Sequence, residues 1–151
     1  MATTESPVHK KLLGEILIER KRITREQLDE ALRFQKKHKG LLGEILVRLG
    51  YLDEKDIVVA LVVQCDLPYI AINKYSIPLE ILKLVPKETA RELHVIPLDR
   101  VGNILSLVMV NPFDQSVKEE IERLSGCKVA TFIATRTEID EAIARWYGQN
   151  Q

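Results

Sequence analysis

Glu15 and Glu44 are the acids whose placement most suggests chemistry, because each sits in the same six-residue block, Leu-Leu-Gly-Glu-Ile-Leu, at residues 12–17 and again at 41–46. Two carboxylates brought together by a repeat are raw material for general acid–base catalysis. A working dyad also needs a cleft and a raised pKa, and acids near a helix start more often serve to complement its dipole. Beyond them the catalytic inventory is thin. The sequence has no GxxxxGK(S/T) loop to cradle a triphosphate, no GxGxxG and no GxSxG. His9, His38 and His94 are scattered, as are Cys65 and Cys127, and neither HExxH nor CxxC occurs. That spacing argues against a zinc site and for two buried, reduced thiols. The residues point away from an enzyme.

A binding reading has more to work with. Gly14 and Gly43 fall early in the first helix of each copy, where a missing side chain lets a ligand, or another helix, come close to the backbone. First-turn amides favour phosphate, and Gln35 and Gln64 occupy matching positions from which to bond a polar edge. On pattern alone, tight helix packing is the better account of the same glycines, and the glutamines fit an exposed face.

The elements that carry these residues follow from the repeat. Residues 12–35 and 41–64 align at an offset of 29, with nine of 24 positions identical. That is a tandem duplication. Each copy reads as a helical hairpin. Leu13, Ile16 and Leu17 mark one apolar helix face, Lys21 to Ile23 interrupts it, and Thr24 with Gln27 forms a capping box that opens the second helix. Gly40 stops that helix. In the second copy Gly50 and Asp53 take over the stop and the cap. Residues 57–63 are β-branched enough to suggest a strand, but their alignment with 28–34 predicts a helix, apolar nearly all round and buried on two sides.

After Asp66 the pattern changes. Residues 69–72 read as a short strand, and Pro78 and Pro86 each open a short helix. Residues 95–98 and 104–110 read as a hairpin, 115–124 as a helix ending at Gly126, and 129–133 as a strand. Thr135 and Glu138 cap a last helix that reaches Tyr147 and stops at Gly148. The expected fold is α+β: a four-helix half of two tandem hairpins over 1–66, then a small mixed α/β subdomain over 67–151.

Composition narrows the partners. With 22 basic and 22 acidic residues the net charge is zero, and only eight aromatics occur. A general DNA or RNA binder needs a basic surplus and stacking platforms, so neither nucleic acid is expected. The longest apolar run has seven residues, against roughly 20 for a membrane helix, and no signal peptide opens the chain. A cytoplasmic protein without membrane insertion is expected. Eight basic and three acidic residues lie between Arg20 and Lys39, a solvated helix face or an anion-attracting one.

The twice-given pattern, Leu13-Gly14 to Gln35 and Leu42-Gly43 to Gln64, resembles the MshEN domain at the N-terminus of type II secretion and type IV pilus assembly ATPases. Asp66-Leu67-Pro68-Tyr69-Ile70, Val95-Ile96-Pro97-Leu98 and Ala144-Arg145-Trp146-Tyr147-Gly148 are similar to the family's second half. The resemblance implies a regulatory or docking module without the ATPase half, no resident cofactor, and a partner in the secretion or pilus machinery, such as the cytoplasmic part of an inner-membrane platform component. Because some members bind cyclic di-GMP, it also implies an alternative role as a receptor for that ligand. The contacts would be Leu13, Gly14, Glu15, Leu17, Leu28, Leu32 and Gln35, with Leu42, Gly43, Glu44, Leu46, Ile57, Leu61 and Gln64. Such binders usually carry arginine before each Leu-Gly, and here Leu12 and Leu41 stand there. An ammonium nearby, at Lys11 or Lys39, does not reproduce a flat bidentate guanidinium.

Overall fold

Local signals in the duplicated half are strong enough to set its helices. In the computed structural model, which describes residues 13–149, they are α1 (Leu13–Glu19), α2 (Arg25–His38), α3 (Leu42–Arg48) and α4 (Glu54–Cys65). Thr24 Oγ1 accepts from the Gln27 amide at 3.1 Å, and Gln27 Oε1 accepts from the Thr24 amide at 2.9 Å. Asp53 and Asp56 make the same reciprocal pair at 3.0 and 3.2 Å. Each box satisfies amides that a helix start leaves without intrahelical partners. Residues 57–63 are helical, as the alignment demands, so packing and capping override their β-branched character.

The chain divides after Asp66 into two compact units. In the helical unit α1 lies against α4 and α2 against α3. Each helix therefore packs on the non-corresponding helix of the other copy, the pattern an approximate two-fold relation produces. Ile16, Leu17, Ala31, Ile45, Leu46 and Ala60 are the buried centre. Cross-links follow the same relation: Arg22 pairs with Asp56 at 3.4 Å, and Tyr51, which occupies position 22's place in the second copy, donates to Glu30. One expectation fails. α4 is not covered on two sides, since Val59 and Val63 are 41% and 58% exposed.

The α/β unit is built on a three-stranded sheet in the order β1 (Val95–Val101), β2 (Ile104–Met109), β3 (Lys128–Ile133). β1 and β2 form an antiparallel hairpin closed by Gly102 and Asn103, with Gly102 at φ 60°, a positive φ at the first central residue that suits a II′ turn. The hairpin is tighter than expected, because β1 runs on to Val101 past a bulge at Leu98. β3 is parallel to β2, and the crossover it needs is helix α7 (Gln115–Ser125). Helices α5 (Leu79–Leu82), α6 (Lys87–Leu93) and α8 (Arg136–Gln149) all pack against β1. Pro78 and Pro86 are extended N-caps of α5 and α6, one place before the helical positions expected of them. Thr135 and Glu138 form the expected box, with both bonds at 3.0 Å, and α8 runs one residue past Gly148.

Residues 69–72 are not a strand. Tyr69 makes a single parallel bridge to Ile133, and Ile72–Lys74 is a 3-10 turn. The bridge still matters, because it guards the β3 edge. Ile133 donates to Pro68 O at 2.9 Å and accepts from Ile70 at 3.0 Å, while the Val129 amide is held by Glu122 Oε2 at 3.0 Å. Blocked outward groups keep an edge from pairing with other chains. Cys127 is a buried free thiol; the Cys65 side chain lies outside the described residues.

Two predictions come from this fold. Lys21 stands at φ 61° where the second copy has Gly50 at φ 86°. A side chain in the left-handed region costs roughly 1–2 kcal/mol, part of which glycine's extra unfolded-state freedom returns. Lys21→Gly should therefore stabilise the chain by about 0.5–1 kcal/mol and raise Tm by roughly 1–4 °C in a thermal scan. The second concerns Tyr69, whose hydroxyl donates to Glu138 Oε2 at 2.6 Å. That bond, then burial and the carboxylate's charge, push its phenol up to about 12. A raised folded pKa stabilises the fold in full below the ordinary value near 10, and the contribution disappears as pH climbs to about 12. Ultraviolet titration should find this phenol ionising late, and Glu138→Gln should return it towards 10.

Candidate functional site

The residues expected to form a site in the repeats centre on the two Leu-Gly steps. Gly14 and Gly43 are buried, and the side chain each lacks is replaced by a neighbour. A Cβ on Gly14 would meet Leu28 Cδ1 at 2.7 Å, and one on Gly43 would meet Ile57 Cδ1 at 2.9 Å. Both partners lie on the second helix of the same hairpin, at corresponding positions. The glycines are close-packing sites, with their side-chain direction aimed into the hairpin.

The apolar positions divide in the same way. Leu17, Leu28, Leu46 and Leu61 are buried, and Leu13, Leu42 and Ile57 are half-buried around them. Leu32 is 38% exposed where its counterpart Leu61 is 6% exposed, so the two copies do not present equal surfaces. Gln35 uses its amide locally, donating from Nε2 to the Gly40 carbonyl at 2.9 Å and so tying down the end of α2. Gln64 is half-buried near the end of α4. Glu15 is exposed and Glu44 half-buried, both in the first turn of their helices.

Leu12 lies outside the described residues. Leu41 is the extended N-cap of α3 and brings no side-chain acceptor to the first-turn amides, whereas α2 and α4 are both closed by capping boxes. The sequence reading missed the Arg22–Asp56 and Tyr51–Glu30 links, although the offset of 29 places Arg22 and Tyr51 at one repeat position. Among the described residues no three His, Cys, Asp or Glu side chains gather as a metal site, and no helix is long and apolar enough to cross a membrane.

The family profile of the MshEN domain matches residues 65–151, more than half of the chain and all beyond the two motif copies. The type IV pilus assembly ATPase PilB of Myxococcus xanthus is 32% identical over 91% of this chain, which spans 24% of that protein's length. The type II secretion system protein E of Xanthomonas campestris pv. campestris is 28% identical over 91% of the chain, which spans 25% of its length. A solved structure described as MshE with cdg superposes at a TM-score of 0.79 with 28% identity, covering 91% of this chain and all of that one.

The glycine packing makes a test. Gly14→Ala should destabilise by about 1–3 kcal/mol through overpacking, and Leu28→Ala by about 2–5 kcal/mol through a cavity. The double variant should lose less than the sum, because the new methyl enters the space that Leu28 vacates. Urea unfolding of the four proteins measures the coupling, and additivity within about 0.5 kcal/mol would refute the contact.

Proposed function

The chain belongs to the MshEN domain family, and from that membership we propose that it is a non-catalytic regulatory and docking module of the type found in secretion and pilus motor ATPases, working in the cytoplasm. The reading rests chiefly on one observation: 91% of the chain aligns with about a quarter of the length of a pilus ATPase and of a secretion protein E. The absence of a P-loop in the sequence agrees with it, since phosphoryl transfer depends on groups that hold phosphates and magnesium. The expected partner is a protein of the same machinery, with the cytoplasmic part of an inner-membrane platform component the first to try. Purified chain should hydrolyse no ATP above background and should co-elute with that partner on size exclusion. Turnover surviving repurification would overturn the non-catalytic part, and separate elution at high concentration the docking part.

A second reading, a cyclic di-GMP receptor, is favoured by the similarity to the solved structure of MshE with cdg, cyclic di-GMP. Leucine at 12 and 41 removes two charge-assisted contacts, each typically worth about 1.5–3 kcal/mol. The loss of both weakens binding by about a hundredfold or more. Calorimetry with cyclic di-GMP should find weak or no binding by the natural chain and a clear gain in Leu12→Arg/Leu41→Arg. A folded double-arginine variant that binds no better than its parent would remove this reading.

A further inference from the structure

The α/β unit carries a pocket that the repeat motifs play no part in. α5, the turn after it and the start of α6 border Tyr147 of α8 and leave an open pocket of about 210 Å³. Leu79, Leu82, Val85 and Pro86 line it with the Tyr147 ring. The Tyr147 hydroxyl donates to the Val85 carbonyl at 2.7 Å, and burial pushes that phenol up, so it stays neutral and occupied. What the cavity presents is carbon. Leu79, 44% exposed, stands at its mouth.

Lys83 and Lys87 complete the lining, four residues apart. Lys83 is exposed and Lys87 half-buried, and neither makes an ion pair with a described residue. An open apolar hollow beside two ammonium groups that pair with no described residue has a definite complement. The volume is below the roughly 300–1,000 Å³ of small-molecule sites, and it suits one bulky side chain. We propose that this pocket docks an acidic segment of a partner protein, with one large apolar side chain entering beside Leu79 and flanking carboxylates meeting Lys83 and Lys87. The proposal rests on the docking reading above and names its surface. Complementary charge steers such an encounter and fixes its register. A bilayer fits worse: exposed Glu80 and Glu88 bracket the lysines and oppose a uniformly anionic surface, whereas a peptide places its charges only where the lysines are.

The test uses the whole 151-residue chain, labelled with nitrogen-15. The probe is a blocked pentapeptide with phenylalanine at the centre and aspartate elsewhere. The expected result is a saturable shift of the amides of residues 79–87 and Tyr147. The same peptide with lysine for aspartate should give none, and Lys83→Glu/Lys87→Glu should weaken the effect about tenfold or more. Shifts confined to other residues, no saturable response, or an undiminished response in the double variant would each overturn the pocket. So would phosphatidylglycerol vesicles perturbing these amides when the peptide does not. If a machinery partner co-elutes as well with the double variant as with the natural chain, the pocket is wrong and docking stands.

Discussion

Two missing methyl groups govern the helical unit. A hairpin of short helices gains little from propensity alone, and tertiary packing must hold it. Here the backbone at Gly14 comes close enough to Leu28, and that at Gly43 close enough to Ile57, that any side chain would collide. That approach seats a side chain of each second helix directly on the backbone of the first, and the reciprocal contacts of α1 with α4 and α2 with α3 join the two copies. Leu17 and Leu46, each completely buried, fill the middle. The Leu-Leu-Gly-Glu-Ile-Leu block is thus accounted for by packing before any ligand is considered.

The duplication gives the two copies one frame and lets their surfaces differ. Position 21 is a strained lysine in the first copy and its counterpart is Gly50; position 22 is an arginine matched by Tyr51. Both of the latter reach across to the other copy's second helix, by an ion pair in one case and a phenol–carboxylate bond in the other. The chemistry diverged while the direction of the contact did not. A two-fold ligand would therefore meet a surface only approximately two-fold, with Leu32 more open than Leu61.

What was legible in the sequence was local. The capping boxes at Thr24, Asp53 and Thr135 need only residues three apart, and the hairpin of β1 and β2 only a glycine at the right place. The repeat rescued α4 from its strand-like composition by comparison with α2. Reading failed where the deciding partner lay far along the chain. Residues 69–72 look like a strand because they are extended and apolar, but only Ile133, more than sixty positions away, determines that pairing stops after one bridge. The glycines show the same limit from the other side: packing and ligand approach both require a missing side chain, and only the position of Leu28 relative to Gly14 separates them.

The two units also differ in what they do with their polar groups. In the helical unit Gln35, Thr24, Asp53 and Arg22 are all engaged within the unit, at helix ends or between copies. Such groups rigidify a frame and leave little to offer a partner. In the α/β unit the buried polar atom of greatest consequence, the Tyr147 hydroxyl, is likewise satisfied internally. The lysines beside it pair with no described residue, and they stand next to exposed hydrocarbon. Apolar area excludes water, and charge placed at its border acts in a less polar surrounding than bulk solvent. A chain with no net charge has little long-range field with which to draw a partner. Recognition then depends on local arrangements in which charge and apolar surface adjoin, and the pocket beside Tyr147 is such an arrangement.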